Sequence, residues 1–170
     1  GSRSPIQVGA ELFGHTGVES DIEIIELMLD SMANLNLDVK LSLGHVGIVD
    51  ELMVQAGISG SQAQTLIDIL ERKAIPEYEA FFNTLSVDDR LAAIFTQLPH
   101  LCGDAAELLE TTQPMLAGIS DKLSQAVAEL RQIVSHLQAL YPWPIHLDLS
   151  DIRGFQYHTG VTFAVYSQCG

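Results

Sequence analysis

Apolar and polar positions alternate with period two in a few short stretches of this chain, and between those stretches apolar residues recur at helical spacing. Residues 5–13 put Ile6, Val8, Ala10 and Leu12 on one face and Gln7, Gly9 and Glu11 on the other, the pattern of a strand with one wet side. Residues 39–43 alternate again and end at Gly44 and His45. Residues 145–149 read as a third strand, which leads into a stretch up to Phe163 that turns at Arg153 and Gly154 and resumes as an apolar strand.

The first helix lies between the first two strand signals. Ser20 and Glu23 stand at capping-box spacing, each able to satisfy the other's free backbone N–H, and so predict its start. Ile22, Ile25, Met28, Leu29, Met32 and Leu35 form its buried stripe, with Glu19, Glu23, Glu26, Asp30 and Asn34 on the solvated side. From Ile48 to about Leu140 the pattern is almost wholly helical, with no strand signal. Ser61 with Gln64 and Ser86 with Asp89 predict two further helix starts, Pro76 suits a first turn, and Gly103-Asp104 breaks one helix from the next. The last helix is the longest, with Ile119, Leu123, Val127, Leu130, Val134, Leu137 and Leu140 at helical intervals, and it should lie across the sheet. Pro142 and Pro144 end it, because neither can continue a helix.

These elements predict an α+β fold: an antiparallel sheet of at least four strands, helices on one side, and a helical insertion between the second and third strand signals. The expected division is residues 3–47 for the first part of a core, 48–118 for the insertion and 119–170 for the second part of the core.

Composition narrows the function classes. The 170 residues are 47% hydrophobic and 18% charged, which suits a globular chain with a sizeable core. Eight Lys and Arg against 22 Asp and Glu leave a net charge of −14, and the cations are scattered, so binding to a phosphate backbone is not expected. Cys102 and Cys169 are too few and too far apart for a disulfide framework or a zinc knuckle, and read as reduced thiols of a cytoplasmic protein. His100 and Cys102 offer two soft ligands without a partner pair, so no metal site is expected. No apolar run approaches transmembrane length and no signal peptide opens the chain. Gly1-Ser2 without an initiating Met reads as a tag remnant, and the chain as an excised fragment.

The candidate chemistry sits at the two ends. Arg153 can fork onto a carboxylate or phosphate, Gly154 lets the backbone turn tightly, and Tyr157, His158 and Thr159 stand where an apolar strand opens, a set suited to a small anion or an amino acid. At the other end, Gly9 between Gln7 and Glu11 leaves room for a ligand against the backbone, and the amide and carboxylate can receive an ammonium group; the same face also reads as a solvent-facing strand edge. His15, on a glycine-flanked loop, and His45, at a strand end, read as surface and turn histidines near that pocket.

Arg153, Gly154, Tyr157, Thr159, Gly160 and Phe163 together resemble the histidine-binding signature of the histidyl-tRNA synthetase family. Gln7, Gly9, Glu11 and Gly14 resemble the strand that follows the motif 2 loop in the same family. His158 stands where the synthetases usually have a second tyrosine, and Gln156 where they usually have an acidic residue. The Tyr-His-Thr-Gly form looks more like the synthetase paralogues that serve as regulatory subunits of ATP phosphoribosyltransferase.

The resemblance implies a class II aminoacyl-tRNA synthetase-like core with a histidine site. Glu11 and Gln7 would take the ligand's ammonium, Arg153 its carboxylate, and Tyr157 the pocket wall, while strand alternation points His158 away from Tyr157. It also implies that the chain begins after the motif 2 arginine and stops before motif 3, and so lacks what adenylation needs. The function it implies is a non-catalytic regulatory subunit, required for the first step of histidine biosynthesis and for feedback by histidine. Its implied partners are the catalytic subunit of ATP phosphoribosyltransferase and L-histidine, as a homodimer within a hetero-oligomer, with no cofactor, nucleic acid or membrane. A fragment of a histidyl-tRNA synthetase catalytic core is the alternative, and a helical interaction module a third.

Overall fold

The computed structural model describes residues 8–153, 155 and 160–167. In chain order these form α1 (Val18–Asn34), β1 (Val39–His45), α2 (Val46–Gln55), α3 (Gly60–Glu71), α4 (Ile75–Phe82), α5 (Asp89–Gln97), β2 (Cys102–Asp104), α6 (Ala105–Leu116), α7 (Asp121–Leu140), β3 (Ile145–Asp148) and β4 (Val161–Ser167). The strands make one sheet in the order β2-β3-β1-β4. The fold is α+β, as the patterning predicts. Its sheet, however, is mixed: β1 runs antiparallel to β4, and β2 to β3, but β1 and β3 are parallel, with Leu41 opposite Ile145 and Leu43 opposite Leu147. A parallel pair needs a long crossover rather than a hairpin, and α2 to α7 supply it.

Two expectations about strands are corrected. Residues 8–13 are exposed and form no strand, since alternation yields a strand only where a partner accepts its backbone, and this segment pairs with none of the described strands. Conversely, the stretch read as almost wholly helical contains β2, which pairs Cys102 with Asp148 and Asp104 with His146. Three residues are too few to show an alternation.

Several helix starts differ from the predicted boxes. At α1 the cap is Gly17, one turn before the predicted box, because His15 Nδ1 accepts from the Gly17 N–H at 3.2 Å and also holds the Ser20 hydroxyl at 2.6 Å. The cap of α3 is Ser59 rather than Ser61. For α5, Asp88 displaces Ser86 by accepting from the Arg90 and Leu91 N–H groups at 2.8 and 3.1 Å. Asp104 does the same for α6 and Ser120 for α7, and Pro76 lies in the first turn of α4 as predicted.

One buried cluster runs from Ile22 on α1 to Ile152 after β3. Val39, Leu41 and Leu43 of β1 are buried on the face turned to it. The alternate residues Lys40, Ser42 and Gly44 share the opposite face with Tyr166, Ala164 and Thr162 of β4 and with His146 of β3. Within the insertion, Tyr78 stacks on Phe82 and Phe82 on Phe95, and the Tyr78 hydroxyl donates to the Phe95 carbonyl at 2.7 Å. Burial pushes the Tyr78 phenol above its ordinary range, so it stays a donor.

This stack predicts two stability changes. Phe95→Ala should cost about 3–5 kcal/mol through the cavity it leaves. Tyr78→Phe should cost about 1–3 kcal/mol, because it strands a buried carbonyl. Urea denaturation followed by circular dichroism checks both, and Tyr78→Phe should leave the slope with denaturant unchanged.

Candidate functional site

The polar face of the sheet holds the Arg153 site. Beyond β3 the chain turns back over this face, and Asp148 Oδ1 steadies the turn by accepting from the Ser150 N–H and hydroxyl at 3.0 and 2.8 Å. Gly44 permits the close approach: a Cβ there would lie 2.8 Å from Thr162 Oγ1, 3.1 Å from the Asp151 carbonyl oxygen and 3.3 Å from that of Asp148. A glycine on β1 is therefore what lets the Asp148–Asp151 backbone press against the sheet.

Asp151, only 6% exposed, holds Arg153 from one side. The guanidinium donates through Nε to Oδ1 and Oδ2 at 2.9 and 3.1 Å and through Nη2 to Oδ2 at 2.5 Å, and its Nη1 donates to the Tyr166 hydroxyl at 3.0 Å. Burial pushes the Asp151 carboxyl up, but hydrogen bonds from the Arg153 side chain and backbone, with the charges of Arg153 and Lys73, outweigh it and hold the group below the ordinary carboxylate value. Of the five N–H bonds of the guanidinium, contacts among the described residues occupy three.

Arg153, Asp151, Asp148, His146, Tyr166 and Lys73 all line one cavity of about 330 Å³, whose floor includes Ser42. Lys73 comes from the turn after α3 and donates to Asp148 Oδ2 at 2.8 Å and to the Ser150 hydroxyl at 2.7 Å. Burial, with Lys40 adding to it, pushes the His146 imidazole below its ordinary value, so at neutral pH the cavity holds two cation–carboxylate pairs around a neutral ring.

Of the residues singled out in the sequence, Arg153 lines this cavity. Glu11 is exposed on the unpaired segment 8–13 and does not line it. Gln7, Tyr157 and His158 lie outside the described residues. His45 faces away: it is 5% exposed, pairs through Nε2 with Glu129 Oε2 at 3.4 Å, and borders a second cavity of about 280 Å³ with Glu51 and Lys122. His15 caps α1. No group of three or more His, Cys, Asp or Glu that could hold a metal occurs among the described residues, and none of their helices is long and apolar enough to cross a membrane. Sequence patterning missed Lys73, His146, Asp148, Asp151 and Tyr166. Asp148 and Asp151 flank Arg153 in the chain and were within reach of local reasoning, whereas nothing local marks Lys73.

Comparison with known proteins gives a consistent result. A family model described as histidyl-tRNA synthetase matches residues 1–170. The chain is 51% identical over 168 residues to the ATP phosphoribosyltransferase regulatory subunit of Hydrogenovibrio crunogenus, covering 98% of this chain and 43% of that protein. It is 44% identical over 168 residues to the protein of the same name from Thioalkalivibrio sulfidiphilus, covering 98% of this chain and 42% of that one. The chain thus spans less than half the length of these curated relatives. Among solved structures, an ATP phosphoribosyltransferase regulatory subunit/histidyl-tRNA synthetase from Bacillus halodurans superposes with a TM-score of 0.79 at 24% identity, over 92% of this chain and 41% of that one. A HisG:HisZ ATP phosphoribosyl transferase complex from Thermotoga maritima gives 0.69 at 19% identity, over 89% of this chain and 52% of the matched chain. At these identities the two structures speak to the fold.

The geometry makes two predictions. Gly44→Ala should destabilise the protein by about 1–3 kcal/mol, because the new methyl meets backbone that cannot withdraw, and thermal unfolding measures it. His146 has a folded pKa below the ordinary 6.5, so the unfolded chain takes up its proton first as pH falls. Its contribution to stability is complete above pH 6.5 and declines below it, and His146→Gln should flatten that part of a denaturation profile between pH 7 and about pH 5.

Proposed function

This chain belongs to the histidyl-tRNA synthetase family, and from that premise we propose that it is the amino-acid-binding core of a regulatory subunit of ATP phosphoribosyltransferase. The observation that carries this reading is the 51% and 44% identity to regulatory subunits over 98% of the chain. The whole protein, on this reading, does no phosphoribosyl transfer and no adenylation of its own. It joins the catalytic subunit in a hetero-oligomer built on its own homodimer, supports the first step of histidine biosynthesis, and responds to L-histidine.

A free amino acid leaves water only if its ammonium and carboxylate are met by separate groups. Arg153 is prepared for the carboxylate: Asp151 and Tyr166 fix the plane of the guanidinium, and contacts among the described residues take three of its five N–H bonds. Gln7 and Glu11 are proposed to take the ammonium, with Tyr157 and His158 bordering the imidazole. A ligand that binds one conformation better than another shifts the population, and a site that no longer carries out chemistry can in this way act as a sensor.

Calorimetric titration of the full-length protein with L-histidine, beside an ATP- and tRNA-dependent histidylation assay and a phosphoribosyl-transfer assay with the catalytic subunit, tests the reading. Binding without histidylation, with stimulation of the catalytic subunit, is expected, and Arg153→Ala should weaken histidine binding by about tenfold or more. Robust histidylation would instead return the protein to the synthetases, the reading that the family description itself favours.

A further inference from the structure

One cation of the Arg153 cavity comes from the helical insertion. α3 ends in a Schellman turn, in which the Lys73 N–H donates to the Leu70 carbonyl at 3.0 Å and the Ala74 N–H to the Ile69 carbonyl at 3.2 Å. Such turns favour glycine at the left-handed position, yet here Lys73 occupies it with φ of 52°. From there its side chain crosses to the loop after β3, where Nζ meets Asp148 and Ser150.

Asp148 does not depend on that contact to be satisfied, because Oδ1 already accepts from the Ser150 N–H and hydroxyl. Lys73 is about half exposed beside the cavity, and an ammonium has three N–H bonds, of which these contacts take two. The cavity is therefore bordered by two cations, Lys73 and Arg153, each held by one carboxylate and each, among the described residues, with a donor to spare.

We propose that Lys73 is a ligand-binding residue of the amino-acid site, its ammonium meeting the α-carboxylate of the bound amino acid alongside Arg153. The inference rests on the reading of the cavity as an amino-acid site and adds that the helical insertion, and not the sheet alone, recognises the carboxylate. Arg153 gives the carboxylate directional N–H donors, while Lys73 adds a compact charge on a flexible stem that can move from Asp148 toward the ligand. Binding then exchanges one oxygen partner of Lys73 for another, and the turn between α3 and α4 feels the difference.

The test is a comparison of two ligands, L-histidine and L-histidinol, which carries an alcohol in place of the carboxylate, titrated calorimetrically into the full-length protein. Wild type should prefer histidine, Lys73→Met should weaken histidine by about tenfold while leaving histidinol within about twofold, and Lys73→Arg should restore most of the preference. Equal weakening of both ligands by Lys73→Met would make the residue structural and overturn the inference, as would no effect on either or a wild type that binds both alike. A wild type that binds no histidine overturns the amino-acid reading itself, so the two failures are distinguishable.

Discussion

The parallel pairing of β1 with β3 is the constraint on which the rest of the molecule depends. Because parallel neighbours cannot be joined by a tight turn, the chain between His45 and Ile145 has to leave β1 and return beside it as β3, adding β2 to the far side of β3 on the way. That excursion carries α2 to α7, and it brings the end of α3 back over the polar face of the strands it connects. Lys73 can thus face Asp148 across a separation of 75 residues. The end of α3 is one wall of the cavity.

Charge is distributed with the same economy. The chain has eight Lys and Arg residues for 22 carboxylates, and two of the eight lie in this one cavity. Lys73 stands against Asp148 at the end of β3 and Arg153 against Asp151 in the loop beyond, so the turn is held from two sides, by a residue from the end of α3 and by a residue of its own. The buried carboxylate of Asp151 stays ionised because Arg153 is there, and Arg153 keeps its orientation because Asp151 is buried. Neither residue of the pair makes physical sense without the other.

The parts of this arrangement that depend on near neighbours were legible in the sequence. The inner turns of the α1 and α7 stripes, the break at the Pro142-Trp143-Pro144 segment and the strand at β1 follow from spacing alone, whereas Leu35 and Leu140, expected in those stripes, are exposed where the two helices end. Helix starts were displaced where a second side chain acted as acceptor, His15 Nδ1 at α1 and Asp88 Oδ1 at α5. Residues 8–13 alternate like a strand, but a strand is a relation between two segments and the pattern describes only one. The parallel register, β2, and the arrival of Lys73 at Asp148 are facts about distant residues, and no local pattern encodes them.

β4 is the outermost strand in the sheet order, secured among the described residues by β1 alone, and its inward side chains Val161, Phe163 and Val165 are only partly buried. Tyr166 near its end is also what steadies one arm of the Arg153 guanidinium. Local opening begins where one neighbour and little buried surface hold the backbone. The orientation of the arginine is consequently tied to an edge of the sheet, and the amide protons at the end of β4 would exchange with solvent in step with the loosening of the site.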